Sequence, residues 1–483
     1  MKQLSRKNHN QALRPIKILQ FGEGNFLRAF VDDFIQVLNN EGLINTNIAV
    51  VQPVAFGRVK ELSEQDGLYT LFLEGLQDGK IVKTNQIIDV ISEFVNPYIE
   101  FNKYLNYAKS TDLEIIFSNT TEAGIVYEAE NVLMDQVPNS FPGKLLRLLY
   151  ERYTHFNGST ESGLEIVPCE LIDDNGETLK NILAKLAEFN QLDKKFITWL
   201  TTANRYYNTL VDRIVPGYPA NDAKELEKHL GYIDHSMVKG EVFALWVIQG
   251  PKELESKLPF AKSSLKDSCF YVESIVPYKQ RKVKILNGSH TALVPISYLL
   301  GNRAVKESMQ DPRVDKFVKG FIFDEVVPTI DLPKEQMDAF ANSVIERYLN
   351  PFIHHLLMSI ALNSVAKFKS RIVPTIEDFA KQGKFPKYSL FSLAALIKFY
   401  SGTDGNGVVI ELADDKKILD KFSQVWSIKD PAVITKEILT WEFWESEYLA
   451  SPMVVDFVTK ALVKIDQEGM EVALAALFNG DLV

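Results

Sequence analysis

The sequence predicts an α/β protein whose first part is a doubly wound parallel sheet with a β-hairpin insertion and whose second part is mainly α-helical. Three observations predict this fold class. Short apolar runs alternate with helical stretches in the first half, and a glycine turn follows the first run. After Pro277, helical patterns punctuated by prolines replace the strand signals. With 483 residues, 46% of them hydrophobic, the chain can fill the cores of two domains.

The first element begins with the apolar run IKILQF at 16–21, which leads into the segment GEGNFLRAF. Phe26, Phe30, Phe34 and Leu38 then recur at four-residue spacing, as on one face of a helix. This order predicts a strand, a glycine turn and a helix. Three later apolar runs that end in polar loops predict further strands, at 47–53, 113–124 and 164–179.

The stretch 68–90 alternates apolar and polar residues around Asp78-Gly79, a dipeptide typical of two-residue hairpin turns. It predicts a hairpin inserted into the sheet domain. Because the pattern changes near 270–280, we expect the sheet domain to span residues 1–273 and the helical domain residues 274–483.

Composition favours a small-molecule partner. The net charge of -10 and the lack of a long Lys/Arg run argue against nucleic acid. The N-terminal stretch is polar and no run of about 18 apolar residues follows, which predicts a cytoplasmic protein without a membrane span. Only two cysteines, Cys169 and Cys269, are present, and His354 and His355 are adjacent, so we expect buried thiols and no metal site.

A glycine turn between the first strand and helix predicts a dinucleotide site. At Gly22-Glu23-Gly24, backbone N–H groups and a helix N-terminus can meet a pyrophosphate, although Leu27 replaces the third glycine of the common motif. Asn119 and Thr120 follow a central strand, where ligands of such sheets bind. The candidate cofactor-binding residues are Gly22, Gly24, Asn25, Phe26, Arg28, Asn119 and Thr120.

The choice between NAD and NADP stays open at this point. The second strand ends at Gln52-Pro53 without the Asp or Glu that usually accepts from the adenosine ribose hydroxyls. Arg58 and Lys60 follow and could tolerate a 2′-phosphate, although charged residues after a strand are usually only solvated.

The segment 278–301 carries Lys282, Asn287 and His290 on one helix. At roughly 100° per residue, Asn287 lies about 140° from Lys282 with His290 between them, so all three can face one cleft. Gly288 is unfavourable inside a helix by about 1 kcal/mol, which close approach of a ring or another backbone would explain. A buried lysine can act as the base for alcohol oxidation.

Two alternatives remain for this segment. It could be an ordinary surface helix with Lys282 and Lys284 solvated and His290 in the core. Tyr278 and Lys282 could instead form the Tyr-x-x-x-Lys pair of short-chain dehydrogenases, although they lie outside the expected dinucleotide domain.

Seven strings spread from residue 16 to about 375 resemble the mannitol dehydrogenase family of polyol-specific long-chain dehydrogenases. They are GEGNFLRAF, DGLYTL (66–71), SNTTEAG (118–124), FPGKLLRLLYERY (141–153), NTLVDRIVPG (208–217), KVKILNGSH and RYLNPFIHH (347–355). The most specific is Lys-x-x-x-x-Asn-x-x-His, which Lys282, Asn287 and His290 satisfy.

The resemblance implies roles for individual residues. Lys282 would be the general base in oxidation and the acid in reduction, and Asn287 would help to bind the reacting oxygen. Lys367 and Asp212 match substrate-binding positions. It also implies a Rossmann-type domain and a helical domain with the site between them, usually in a monomer. A dinucleotide-binding sensor without activity is the alternative outside enzymes, and it would not be expected to keep Lys282.

One departure points to the substrate. Polyol members carry Cys-Asp-Asn-Leu where this chain has Cys169-Glu170-Leu171-Ile172, and Leu171 cannot donate a hydrogen bond to the reacting oxygen. The string PCELIDDNG resembles the branch of the family that reduces D-tagaturonate to D-altronate with NAD. Reduction of the epimeric D-fructuronate, or oxidation of mannitol or arabinitol, are the alternatives. We therefore expect a substrate carboxylate near Lys367, Lys369 and Arg371, and Glu170 also as a substrate contact.

Overall fold

The computed structural model describes residues 1–9, 13–120, 123–404 and 407–482, without the side chain of His9. Contacts divide the chain into two compact units. Unit 1 comprises residues 1–75 and 81–275, and unit 2 comprises residues 76–80 and 276–483.

Over the described residues, the strands lie between residues 2 and 272 and form four sheets. In chain order they are β1 (Lys2–Gln3), β2 (Ile16–Phe21), β3 (Asn47–Val51), β4 (Tyr69–Gln77), β5 (Lys80–Ile88), β6 (Ile91–Val95), β7 (Ile115–Ser118), β8 (Glu165–Pro168), β9 (Arg205–Tyr206), β10 (Asn208–Asp212), β11 (Tyr232–Ile233), β12 (Val238–Glu241), β13 (Leu245–Gln249) and β14 (Cys269–Val272).

The main sheet of unit 1 has six parallel strands in the order β6-β3-β2-β7-β8-β9. The chain runs outward from β2 to one edge and returns to build the other edge from β7. Strand order therefore reverses between β2 and β7, where Phe21 pairs with Ser118 at the carboxyl ends. In such sheets ligands bind at this switch point. The predicted fold class is confirmed.

Helices cover both faces of this sheet and bury its apolar side chains. The α-helices of unit 1 are α1 (Arg6–His9), α2 (Asn25–Arg28), α3 (Val31–Asn40), α4 (Val59–Ser63), α5 (Phe101–Asn106), α6 (Phe141–His155), α7 (Asn175–Phe189), α8 (Lys194–Thr202), α9 (Ala223–Leu230) and α10 (Glu253–Lys257). Phe30 and Phe34 pack with Trp246 on one face, and Leu145 and Leu149 fill the other.

The predicted hairpin is present as β4 and β5, and β12 extends it to a small sheet. Asp78 and Gly79 both have positive φ, 51° and 69°, as a two-residue type I′ turn requires. β10, β13 and β14 form a further three-stranded sheet.

Unit 2 is helical. Its α-helices are α11 (Val276–Arg281), α12 (Gly288–Leu299), α13 (Val305–Gln310), α14 (Pro312–Lys319), α15 (Lys334–Tyr348), α16 (Leu357–Ala361), α17 (Ser364–Arg371), α18 (Val373–Lys381), α19 (Lys387–Phe399), α20 (Lys416–Trp426), α21 (Pro431–Leu439), α22 (Pro452–Glu468) and α23 (Met470–Asn479). α19 is buried from Tyr388 to Phe399 and packs against α12 and α22. Pro312 and Pro431 open helices, where the missing N–H is not needed.

Cys169 and Cys269 are both buried free thiols, as the sequence predicts. Over the described residues, no helix is long and apolar enough to cross a bilayer.

Candidate active site

The glycine turn lies at the carboxyl end of β2 in unit 1. Gly22 has φ 125°, and a Cβ there would lie 3.0 Å from the backbone oxygen of Asn119 and 3.0 Å from Leu27 Cδ1. A side chain would therefore be both strained and crowded. Leu27, which replaces the usual third glycine, packs under the turn. Gly24 is exposed, and a Cβ on it would meet nothing within 4 Å.

The side chains that follow the turn are held by the protein. Arg28 is buried and donates to Asn25 Oδ1 (2.7 Å) and to the carbonyl oxygens of Glu23 (3.2 Å) and Ser236. Its guanidinium also lies 5.1 Å from the Tyr69 ring centroid. This placement favours a role for Arg28 in bracing the turn.

Phe26 is half-buried and stacks on Phe30, with ring centroids 5.0 Å apart. The Asn25 side chain packs closely against Gly217. A Cβ on Gly217 would lie 2.5 Å from Asn25 Nδ2, so a larger residue would clash there. Both side chains therefore pack against the protein itself, Asn25 beside Gly217 and Phe26 on Phe30.

Asn119 and Thr120 begin the loop after β7, and Thr121 and Glu122 of the same loop lie outside the described residues. Glu170 is buried and braces this loop, accepting from Ser118 Oγ, Thr120 N and Thr120 Oγ1, each at 3.0 Å. Burial raises the pKa of the Glu170 carboxyl. Asn119 Nδ2 donates to the Cys169 carbonyl. These contacts favour a positioning role for Glu170, while Leu171 beside it is 59% exposed.

Asp212 ends β10 and is buried. The next residue, Arg213, is buried too and pairs with Asp33 at 2.6 Å. Both side chains thus lie in the interior of unit 1 around the small sheet of β10, β13 and β14.

In unit 2, α11, a π-helical turn (Lys282–Asn287) and α12 form one continuous run from 276 to 299. Because a π-helix bonds residue i to residue i+5, Lys282 and Asn287 lie about one turn apart, one above the other. The expected angle of about 140° between them is therefore wrong, since it assumed α-helical geometry. The π-turn aligns the two residues better than an α-helix would.

Gly288 follows the π-turn in ordinary helical geometry, with φ -65° and ψ -49°. The nearest atoms to a Cβ there are the backbone oxygens of Arg371 and Val283, both at 3.5 Å. This is ordinary van der Waals contact, so the close approach expected to require glycine is not found.

His290 lies in an aromatic and cationic surrounding. Its ring packs against Tyr348 (centroids 4.2 Å apart) and His355 (5.2 Å). Burial, together with the nearby His355, Arg347 and Arg371, holds the pKa of His290 well below 6.5, so the imidazole is neutral at pH 7. Among the described residues, no group bonds its buried Nε2.

Arg371 reaches the same place from α17. Its Nη1 donates to Thr291 Oγ1 (3.1 Å) and to the Asn287 carbonyl (3.5 Å), and Thr291 Oγ1 donates to that carbonyl as well (2.9 Å). Lys367, one turn earlier, donates to the Ile360 carbonyl (3.0 Å). Burial, reinforced by the charge of Arg371, lowers the pKa of Lys367. The structure therefore brings Asn287, His290, Arg371 and Lys367 together.

The other two lysines are held elsewhere. Lys369 pairs with Glu445 at 2.7 Å and lies 5.0 Å from the Phe443 ring centroid. Lys284 is buried and pairs with Asp378 at 2.9 Å, so the alternative in which Lys284 is solvated is wrong. Lys282 remains half-buried at the start of the π-turn.

Sequence reasoning missed Tyr348, whose hydroxyl donates to the Leu286 carbonyl (2.7 Å) and bonds Ser289 Oγ (2.7 Å). It also missed Arg347 and His355 as neighbours of His290. The string RYLNPFIHH contained all three, but nothing local indicates that it packs against a helix some 60 residues earlier.

Comparison with known proteins identifies the family. The model of the mannitol dehydrogenase Rossmann domain matches residues 16–262, and that of the mannitol dehydrogenase C-terminal domain matches residues 274–466. The chain belongs to the mannitol dehydrogenase family. The resemblance predicted from the sequence is thereby confirmed, and this member of the family carries the Lys282, Asn287 and His290 pattern within the second matched region.

Several relatives of this family member are called altronate oxidoreductase. That of Yersinia enterocolitica is 42% identical over 484 residues, and that of Cronobacter sakazakii 42% identical over 485 residues. The one from Escherichia coli O6:K15:H31 is 41% identical over 485 residues. Each comparison covers 99% of this chain and all of the relative.

Two solved structures share the fold. D-Sorbitol dehydrogenase in substrate-free form has a TM-score of 0.80 at 18% identity, covering 98% of this chain and 100% of that one. Pseudomonas fluorescens mannitol 2-dehydrogenase, in a ternary complex with NAD and D-mannitol, has a TM-score of 0.65 at 22% identity, covering 99% and 100%.

Proposed function

We propose that this protein reduces D-tagaturonate to D-altronate, reversibly, with a nicotinamide dinucleotide, and that NAD is the cofactor. The contact that carries the proposal is that of Arg371 with the Asn287 carbonyl, because it places a cation beside the residue matched to the reacting oxygen. The full-length similarity to altronate oxidoreductases supports the same substrate pair.

The dinucleotide would be held by unit 1. Gly22 fits this role because its conformation and its tight contact with Asn119 bring two loops together at the switch point of the sheet. Gly24, Asn25 and Phe26 would present backbone N–H groups to the pyrophosphate. When bound, the cofactor supplies or accepts the hydride.

Unit 2 would supply the proton chemistry. Lys282 would give its proton to the carbonyl oxygen during reduction and take it back during oxidation. The Asn287 amide would donate to that oxygen as its charge grows. His290, neutral and with its Nε2 free of described partners, would bond and orient the same oxygen.

A cationic pair would select the sugar acid. Arg371 and Lys367 lie one helical turn apart on α17, and charge-assisted bonds to a carboxylate are about twice as strong as neutral ones. Glu170 and Asp212 remain candidate substrate contacts, with Glu170 acting through the loop that it braces. Leu171 cannot serve as an oxyanion donor, so Asn287 and His290 would carry that task.

An NADH-oxidation panel tests the proposal. Tagaturonate should be reduced with kcat/KM at least about tenfold above fructuronate, and fructose should be a poor substrate because it lacks the carboxylate. Faster turnover of fructuronate would reassign the stereochemistry. Equal turnover of fructose and tagaturonate would overturn the carboxylate argument and favour a polyol dehydrogenase.

A further inference from the structure

Glu23, which lies between the two glycines of the turn, contacts the chain segment that follows β3. Glu23 is 8% exposed, and its Oε1 accepts the backbone N–H of Arg58 at 2.9 Å. A Cβ on Gly57 would lie 2.3 Å from the same oxygen. The carboxylate of Glu23 therefore lies against the segment that follows β3.

That segment is where a sheet of this kind usually presents an acid to the adenosine ribose. Here β3 ends at Val51, and Gln52 to Gly57 contain no acidic residue. Glu23 reaches the position from the neighbouring strand. Over the described residues, the hydrogen bond from another residue goes to Oε1, and the carboxylate also meets the backbone N–H of Glu23 itself, so lone pairs remain for a hydroxyl donor.

A groove of about 1000 Å³ at the carboxyl ends of β3 and β6 is lined by Gly57 and Arg58, the two residues that the Glu23 carboxylate adjoins. Phe56 and Ile99 are on its wall with side chains 98% and 81% exposed, and Gln52 and Asn96 supply polar groups. The groove is also lined by charged residues, namely Arg58, Lys60, Glu93, Glu100 and Lys103. Within it, Phe56 and Ile99 offer the apolar surface on which a flat purine can lie.

We propose that Glu23 binds the adenosine ribose hydroxyls and sets the preference for NAD over NADP, in place of the acid missing after β3. An ionised carboxylate accepts hydrogen bonds from the 2′- and 3′-hydroxyls. It repels a 2′-phosphate, which is anionic and has no proton to share. The inference rests on the nicotinamide dinucleotide of the proposed function.

The cations that line the groove, Arg58, Lys60 and Lys103, do not reverse this preference. Lys60 is exposed, and Lys103 donates to the Phe94 carbonyl (2.8 Å) and pairs with Glu100 (3.6 Å). Arg58 pairs with Glu61 (Nε to Oε2, 2.9 Å), and both side chains are more than half exposed. Solvent screens the charges of exposed cations, so their attraction for a 2′-phosphate is weaker than the repulsion from the buried Glu23 carboxylate.

Direct titration of the purified protein with NADH and NADPH, without sugar acid, tests the proposal. The wild type should bind NADH at least about tenfold more tightly. Glu23→Gln keeps an oxygen for the Arg58 N–H but loses the charge, so the Kd for NADH should rise about tenfold while that for NADPH holds or falls. Glu64→Gln, which removes an exposed carboxylate from the same region and leaves the Arg58–Glu61 pair intact, should leave the ratio within about twofold.

Equal weakening of both cofactors by Glu23→Gln would overturn the inference and make Glu23 a brace of the turn. An unchanged ratio, or a wild type that prefers NADPH, would overturn it too. Each of these outcomes leaves the tagaturonate proposal intact, because the substrate panel measures that separately. A wild type that binds neither dinucleotide would overturn the proposed function and this inference together.

Discussion

The two candidate binding regions use arginine in opposite ways. In unit 1, Arg28 is 4% exposed and donates to three acceptors around the glycine turn. In unit 2, Arg371 is half-buried, and its hydrogen bonds to described residues all come from Nη1, at 3.1 and 3.5 Å. Arg28 thus uses its N–H groups to hold the turn, whereas Arg371 has further N–H groups that bond no described residue and could bind a ligand.

The glycines differ in the same sense. Gly22 cannot carry a side chain without strain, while Gly288 can. We infer that the glycine turn of unit 1 would meet the pyrophosphate through its backbone, and that the helix with the π-turn in unit 2 would act through its side chains. Substitutions can break or sharpen this contrast.

The largest effect is expected for Lys282→Ala. Loss of the acid/base group should lower kcat by about 10²–10⁴ or more, because proton transfer alone is worth that much. NADH affinity and Tm should not change. Stopped-flow turnover and fluorescence titration measure the two effects separately.

Tyr278→Phe is the control for this prediction. Tyr278 is buried, with the Arg281 guanidinium 4.9 Å from its ring centroid, and this contact survives the change to Phe. Activity should stay within about twofold. A severe loss here with a mild loss in Lys282→Ala would favour the short-chain dehydrogenase pair instead.

The next effect concerns the carboxylate. Arg371→Met should raise the KM for tagaturonate by about 10- to 100-fold, the range for a lost hydrogen bond to a charged group, with little change for NADH. Lys367→Met should act in the same direction. Lys369→Met is the matched control, since Lys369 is engaged by Glu445, and its KM should stay within about twofold. An equal rise in KM for all three variants would indicate long-range attraction of the anionic substrate rather than direct contact with Arg371 and Lys367.

Much of the fold could be predicted because its signals are local. The run 16–21, the glycines after it and Asp78-Gly79 each specify structure within a few residues. The pairing of β12 with β4 has no such signature, because about 165 residues separate the strands. The π-turn was missed because a period of 3.6 residues was assumed throughout.

In the candidate site, too, only the grouping of residues that are close in sequence could be predicted. Lys282, Asn287 and His290 share one segment, so their grouping could be predicted. Tyr348 and Arg347 reach it from α15, which only the packed structure shows.

A smaller effect distinguishes the glycines. Gly22→Ala should destabilise unit 1 by about 1–3 kcal/mol, because a positive φ and a 3.0 Å contact with a backbone oxygen cannot both relax. Gly24→Ala should leave Tm unchanged but weaken the binding of NADH, since only a bound ligand would contact the added Cβ. Gly288→Ala should be neutral or stabilising by up to about 1 kcal/mol. Thermal unfolding of the three variants with and without NADH measures these effects. A larger loss of Tm in Gly288→Ala than in Gly22→Ala would contradict the prediction.

The smallest effect is expected from chelation. Within residues 1–9, 13–120, 123–404 and 407–482, no group of three or more His, Cys, Asp or Glu side chains is placed to hold a metal ion. The groups proposed to polarise the substrate oxygen are instead Lys282, Asn287 and a neutral His290, and an amine with an amide can meet the growing charge by hydrogen bonding. Activity measured after exhaustive dialysis against EDTA should therefore equal that of the untreated protein. If activity were lost and zinc restored it, lysine would not be the acid, and the contrast drawn for unit 2 would have to be rebuilt around a metal centre.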